Sequence, residues 1–407
     1  MKPEAENSPS SEIITAMKNS FSRVYLVLLL FLTASTGSFA GDTAVDFFNQ
    51  GNAKRENRDL DGAIADYTRA IEINPKLLGA YGNRGYAKNV KGDLDGAIAD
   101  YTRVIEINPK LSYAYFTRGN AKQAKGDLDG AIADFTRCIE INPKSLESYS
   151  NRGYAKQAKG DLDGAIADYN RTIEINPKYS EAYFGRGYAK RAMGEMDGAI
   201  ADYNHAIEIN PKYSMAYYGR GNAKKAKGDL DGAMADYNQV IEINPKISEA
   251  YYGLALCNHL KSNWTDALSY YRRASELTKQ RELQDYCQLH IWIIRSRFGE
   301  GQAADKELAA HLDKGGNAAP NDWVTKLAKH LHGTVTEADL IVAAESPDAR
   351  KKSGQVCEAW YYAGMKKLLA GDKKAAADFF RKCIDTKRND FTEFIFAQAE
   401  LKALGGE

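Results

Sequence analysis

The side chains able to do chemistry in this 407-residue chain are few and scattered. Histidines stand at His205, His259, His290, His311, His330 and His332. His330 and His332 are two apart on a predicted helix and face different ways, whereas a zinc-binding helix carries its pair four apart. A solvated or half-buried role is expected of the histidines. Of the five cysteines, Cys138 and Cys383 hold the same helix-facing position of related segments and Cys257 lies near a core, so they read as small buried hydrophobes. A Cys257–Cys287 disulfide stays open, since spacing alone does not decide pairing. No GxxxxGK[ST], GxSxG or CxxC occurs, nor GxGxxG after a strand. Carboxylates recur throughout and lack the isolation of a tuned acid and base pair. No catalytic residue, no metal ligand and no cofactor site is therefore predicted, and the chain does not read as an enzyme.

Charge excludes a further class of partner. Lys and Arg number 55 against 54 Asp and Glu, a formal net charge of +1, and both signs are interleaved, so no basic stripe is present for nucleic acid. The N-terminus has a different character. Residues 1–16 are polar; Lys18 and Arg23 then precede an apolar run from Val24 to Leu32, followed by Ser38 and Ala40, the layout of a secretory signal cleaved after Ala40. The run falls short of the roughly 20 apolar residues of a membrane span. An exported chain is expected, in the periplasm or outside the cell. Contact with a membrane would come only through an uncleaved signal, and the first cysteine, Cys138, lies too far along to carry a lipid anchor.

The elements that must position any site are repetitive. "DLDGAIADYNRTIEINPK" at 161–178 has near-copies beginning at Asp59, Asp93, Asp127, Glu195 and Asp229, each 34 residues from the next. On that period residues 44–281 form seven units of two helices each. In the fifth, "SEAYFGRGYAKRAM" turns Tyr183, Gly187 and Ala189 toward a partner helix, and Gly194 can end it in a left-handed conformation. Ser180 and Asp197 are the candidate N-caps. Ala199, Ile200, Tyr203, Ala206 and Ile207 then make one apolar face, and Asn210-Pro211 stops the helix. Glycine inside a helix costs about 1 kcal/mol relative to alanine, so its recurrence at Gly51, Gly85, Gly119, Gly153, Gly187 and Gly221 implies close packing.

The pattern of Tyr183, Gly187, Ala199, Tyr203, Ala206 and Pro211 within 34 residues resembles the tetratricopeptide repeat. The resemblance implies an all-α fold, a right-handed superhelical solenoid of antiparallel helix pairs, here with a helical C-terminal extension. This chain carries Arg (Arg84, Arg118, Arg152, Arg186, Arg220) where the usual pattern has Leu, and an Asp in each second helix from Asp66 to Asp236. Those charges could form a ladder between helices, but the preferred reading is a solvated surface whose pairs contribute under about 1 kcal/mol each. In the divergent seventh unit Ala255 replaces Gly and Lys279 replaces Pro.

From 282 to 356 the period is lost while helical patterning persists, interrupted at Gly315, Gly316 and Pro320. Residues 357–407 return to the repeat, with Trp360, Gly364, Ala376, Phe380 and Cys383 in register and an aromatic-rich closing helix. This order, and above all "CEAWYYAGMKKLLAGDKKAAADFF" followed by "DFTEFIFAQAEL", resembles the NlpI-type envelope adaptors, although the chain has more repeats and no lipidated Cys. The resemblance implies a scaffold that brings enzymes to substrates in a bacterial envelope.

On the repeat family's pattern, the inward positions of the first helices are Asn52, Tyr86, Asn120, Tyr154, Tyr188 and Asn222, with Gln123, Gln157, Arg191 and Lys225 one turn along. Phe116, Phe184 and Tyr218 are expected at the rim of the same groove. Amide side chains can bond a peptide backbone through both donor and acceptor, aromatics supply contact area, and Arg or Lys takes a carboxylate. The predicted partner is a protein or an extended peptide. The alternative is a carbohydrate or cell-wall ligand, since many of the 25 tyrosines could act as sugar platforms.

Overall fold

The computed structural model describes residues 43–314, 323–345, 349–388 and 391–405. The signal expected within residues 1–40 and the break at Gly315, Gly316 and Pro320 lie outside the described residues. Among the described residues every regular element is an α-helix, and the chain divides into two compact bodies between Ala223 and Lys224.

The first body contains α1 (Ala44–Glu56), α2 (Leu60–Ile73), α3 (Leu78–Val90), α4 (Leu94–Ile107), α5 (Ser112–Lys125), α6 (Leu128–Ile141), α7 (Leu146–Ala158), α8 (Leu162–Ile175), α9 (Ser180–Ala192) and α10 (Met196–Ile209), with α11 (Ser214–Ala226) carrying the boundary. From α1 to α10 odd and even helices pair within a repeat, and each even helix up to α8 packs on the next odd one, the stacking of a tetratricopeptide solenoid. The close approach explains the helical glycines: a Cβ at Gly119 would lie 2.8 Å from the Phe135 ring. Gly194 does adopt the left-handed conformation, with φ +85°.

The caps differ from the expectation. α9 begins at Ser180 with Tyr179 as its N-cap, and the second helix of that repeat is preceded by Glu195, whose side chain makes no cap bond. Elsewhere the cap is the Asp two residues before the one read from sequence, as where Gly130 N–H donates to Asp127 Oδ1 at 2.9 Å. An Asp carboxylate has the reach for the third amide of the helix, and the longer Glu195 does not close the same bond. The Asp read as a cap instead sits exposed in the first turn, where Asp95 receives Lys125 of the next repeat at 2.5 Å.

The conserved-looking charges are not a solvated surface. Arg118 Nε and Nη2 donate to the two oxygens of Asp134 at 2.9 and 2.7 Å, and its Nη1 donates to Thr102 Oγ1 of the preceding repeat at 3.1 Å. Lys122 reaches the same carboxylate at 2.8 Å, and Asp134 is only 4% exposed. The set recurs as Arg84 with Asp100 and Thr68, Arg152 with Asp168 and Thr136, and Arg186 with Asp202 and Asn170. A planar guanidinium satisfies one carboxylate and still bridges to the neighbouring repeat, which Leu at that position could not do. The ladder is thus an internal strut joining repeats.

The second body contains α12 (Leu230–Ile243), α13 (Ser248–Leu260), α14 (Trp264–Leu277), α15 (Arg281–Arg297), α16 (Gly301–Lys314), α17 (Trp323–His332), α18 (Glu337–Ala343), α19 (Ala349–Leu369), α20 (Lys373–Asp385) and α21 (Thr392–Ala403). α15 runs through its centre, touching α14, α16, α17 and α19, while α21 packs on both α19 and α20. Its core is apolar and aromatic, with Leu289, Ile291, Ile293, Tyr361, Tyr362 and Phe396 almost wholly enclosed. Here three histidines depart from the solvated or half-buried role expected of them: His259, His290 and His330 are buried. His290 stacks on Tyr271 at 4.8 Å with neither ring nitrogen hydrogen-bonded, and burial drives its pKa down to about 3. All five cysteines are buried and free, so Cys257 and Cys287 are not joined.

Candidate partner-binding face

In the first body the odd helices also touch one another directly, α1 with α3, α5 with α7 and α7 with α9, whereas no two even helices come as close. The odd helices therefore form the crowded inner side of the stack, and their side chains meet there across repeats. Asn52 Oδ1 accepts from Asn83 Nδ2 at 2.7 Å and from the Tyr67 hydroxyl at 2.9 Å. Two repeats on, Asn151 Nδ2 donates to Asn120 Oδ1 at 2.8 Å. These bonds hold two of the predicted contact residues in place while leaving Asn120 Nδ2 buried with no partner.

Gln123, one turn along α5, has its Oε1 buried and unpartnered as well. Further along, Tyr188 is 37% exposed and lies under the Arg191 guanidinium at 5.2 Å. The Arg191 guanidinium and the Tyr203 hydroxyl face each other and interact. Burial lifts the Tyr203 pKa to about 12, with the Arg191 charge pulling the other way. Tyr154 is half-buried, its pKa raised by burial and then by neighbouring Tyr188, while Gln157 on the same helix lies near the Tyr169 hydroxyl. Tyr86, Phe116, Tyr218 and Asn222 are each partly buried on their odd helices. Phe184 has a different place: it is 6% exposed, wedged against Tyr203 and Tyr213 at 5.8 and 5.2 Å. Lys225 belongs to the second body.

Asn83 and Asn151 did not stand out in the sequence. Their position on the 34-residue period reads Asn83, Thr117, Asn151, Gly185, Gly219, and it varies while its neighbours repeat. In the later repeats the glycine makes room for the preceding tyrosine: a Cβ at Gly185 would lie 2.5 Å from Tyr169, and at Gly219 2.7 Å from Tyr203. The inner wall thus changes from paired amides to tyrosine rings along the body.

The second body has a shallow cleft of about 490 Å³ between Trp264, Phe298, Leu368 and Leu404, crossed by Arg297, which lies 4.6 Å over Trp264 and is paired with Glu400. Among the described residues no three His, Cys, Asp or Glu side chains are grouped to hold a metal, and no helix is long and apolar enough to cross a membrane.

A stack of two-helix repeats held by small residues, with polar side chains lining its odd helices, defines a helical repeat protein. The tetratricopeptide repeat models match residues 48–112 and 112–145, and the TPR repeat model matches 158–190, 187–228 and 221–261. The chain belongs to the tetratricopeptide repeat family. Among solved structures, a tetratricopeptide repeat protein from Parabacteroides merdae is similar over 62% of this chain and all of its own, at 19% identity and a TM-score of 0.52. MamA is similar over 40% of this chain and 96% of its own, at 30% identity and a TM-score of 0.38. YrrB, described as having an unusual peptide-binding site, is similar over 44% of this chain and 92% of its own, at 23% identity and a TM-score of 0.38. No curated protein matches the chain.

Proposed function

We propose that this protein is a non-catalytic interaction scaffold whose odd helices in the first body take an extended segment of a partner protein. The observation that carries the reading is the pair of polar atoms on α5 enclosed without partners, Asn120 Nδ2 and Gln123 Oε1. A buried polar atom without a hydrogen bond costs about 1–3 kcal/mol. An extended peptide brings alternating N–H and C=O groups that can satisfy such atoms, and Tyr154 and Tyr188 offer aromatic surface beside them. The repeats engage peptides or proteins in this family, which favours the same class of partner here. A place in a bacterial envelope, and an adaptor role there, is the further part of the proposal; it rests on the apolar run 24–32 after Lys18 and Arg23 and on the order of the C-terminal segments.

Selection of a random peptide display library on the full chain tests the reading. Selected peptides should bind the wild type in calorimetry and bind a variant carrying Asn120→Ala, Tyr154→Ala and Tyr188→Ala at least about tenfold more weakly, a loss of about 1.4 kcal/mol. Equal binding to a folded variant would overturn this face as the site. Binding to a glycan array with no peptide selected would favour a carbohydrate ligand instead.

A further inference from the structure

The last repeat-like pair of helices brings two thiols together. Cys357 on α19 and Cys383 on α20 are both fully enclosed, and their sulfurs lie 3.3 Å apart. The remaining thiols have other surroundings. Cys138 faces the hydroxyls of Ser148 and Ser145 at 3.0 and 3.9 Å, and among the described residues neither Cys257 nor Cys287 has a thiol in bonding reach. A disulfide needs its sulfurs about 2.05 Å apart, so this pair has roughly 1 Å to close, within the reach of small side-chain rotations.

We propose that Cys357 and Cys383 are a disulfide-forming pair that closes α19 onto α20 when the chain meets a small-molecule disulfide such as oxidised glutathione. The two thiols differ in character. The hydrogen bond from Cys383 holds the Cys357 pKa below the ordinary thiol range, while the same contact and burial raise that of Cys383. Cys357 is accordingly the attacking thiolate. It displaces one glutathione thiolate from the oxidant and forms a mixed disulfide. Cys383 then gives up its proton and attacks the Cys357 sulfur, releasing the second glutathione. The protein loses two protons and two electrons, and one glutathione disulfide becomes two glutathione thiols. Both sulfurs are enclosed, so the exchange proceeds most readily while the chain folds. The link spans residues 26 apart in sequence and ties together the two helices on which α21 packs. The inference is independent of the peptide-binding reading.

The test is to refold the reduced full chain in a glutathione redox buffer, block free thiols with N-ethylmaleimide in denaturant, and map the digest by mass spectrometry. Two of the five thiols should escape labelling and appear in one linked peptide pair containing Cys357 and Cys383, and dithiothreitol should release it. The oxidised protein should also melt at a higher temperature than the reduced one, a difference that Cys357→Ser abolishes. Labelling of all five thiols across the range of glutathione ratios would overturn the proposal. So would a link that joins Cys138, Cys257 or Cys287 instead.

Discussion

The two bodies solve the same problem, packing helices in pairs, with opposite materials. In the repeats, glycine and alanine bring helices close and charged groups are carried inside, Asp100, Asp134, Asp168 and Asp202 each clasped by an arginine that also reaches the neighbouring repeat. In the second body the interior is aliphatic and aromatic, and some of its buried titratable groups are weakly held: neither ring nitrogen of His290 is hydrogen-bonded, and the Glu393 carboxylate receives the Tyr362 hydroxyl at a long 3.4 Å. Others are well paired: Glu358 receives the Tyr286 hydroxyl and the Trp323 indole, each at 2.6 Å, and Asp285 is held by Arg281 and His311. The difference teaches where sensitivity lies. A repeat whose charges are locally satisfied can be copied or removed as a unit, whereas a core with isolated titratable groups depends on all of its helices and on pH.

Deletion is the strongest way to break that contrast. Removing residues 146–179, one repeat of the first body, should leave a cooperatively folding protein with undiminished helicity per residue by circular dichroism, because repeat stability is nearly a sum of local terms. Removing α20 should abolish the cooperative transition of the second body. Loss of helical signal in the first deletion would show the repeats to be as interdependent as the core.

Single charges come next. Asp134→Ala leaves Arg118 and Lys122 around a missing anion and should cost about 3–5 kcal/mol in urea unfolding. A double change of Arg118 and Asp134 to leucine should recover most of it, since an ion pair replaced whole by apolar groups is often neutral.

The pH response should separate the bodies. His290 has its folded pKa near 3 against an ordinary 6.5, so its contribution is complete above pH 6.5 and is lost as pH falls toward 3. Glu393 behaves in the opposite sense. Burial, and then the charge of Glu358, raise its pKa from 4.5 to about 8, so its contribution is present below 4.5 and is lost as pH climbs toward 8. Each shift, at about 1.4 kcal/mol per pKa unit, amounts to a few kcal/mol. His290→Phe should therefore flatten the acid limb of a stability-against-pH curve at little cost near pH 7, and Glu393→Gln should flatten the alkaline limb. Unchanged curves would mean that the second body opens enough to hydrate these groups.

The smallest effect is a gain. Glu195→Asp restores the cap that Asp59, Asp93, Asp127, Asp161 and Asp229 make in their repeats and should stabilise by about 0.5–1 kcal/mol. Asp161→Ala should cost a similar amount.

Sequence periodicity alone determined the helix pairs, the stacking of the repeats and the need for glycine at Gly119 and its counterparts, because each of these depends on contacts that recur every 34 residues. The inward positions of the odd helices were suggested by the resemblance to the tetratricopeptide repeat and not by the period itself. What it left open needed contacts between residues far apart or off the period. The Arg and Asp ladder could be seen as residue types, but whether it was solvated or enclosed depended on how closely the odd and even helices approach. Asn83 and Asn151 were hidden because their position varies along the repeats, and their partners lie 31 residues away. The enclosure of His290, the two donors on Glu358 and the meeting of Cys357 with Cys383 belong to tertiary structure alone. Those residues come from the aperiodic segment and from the single repeat-like pair after it, and only the packing of α15, α17, α19, α20 and α21 brings them together.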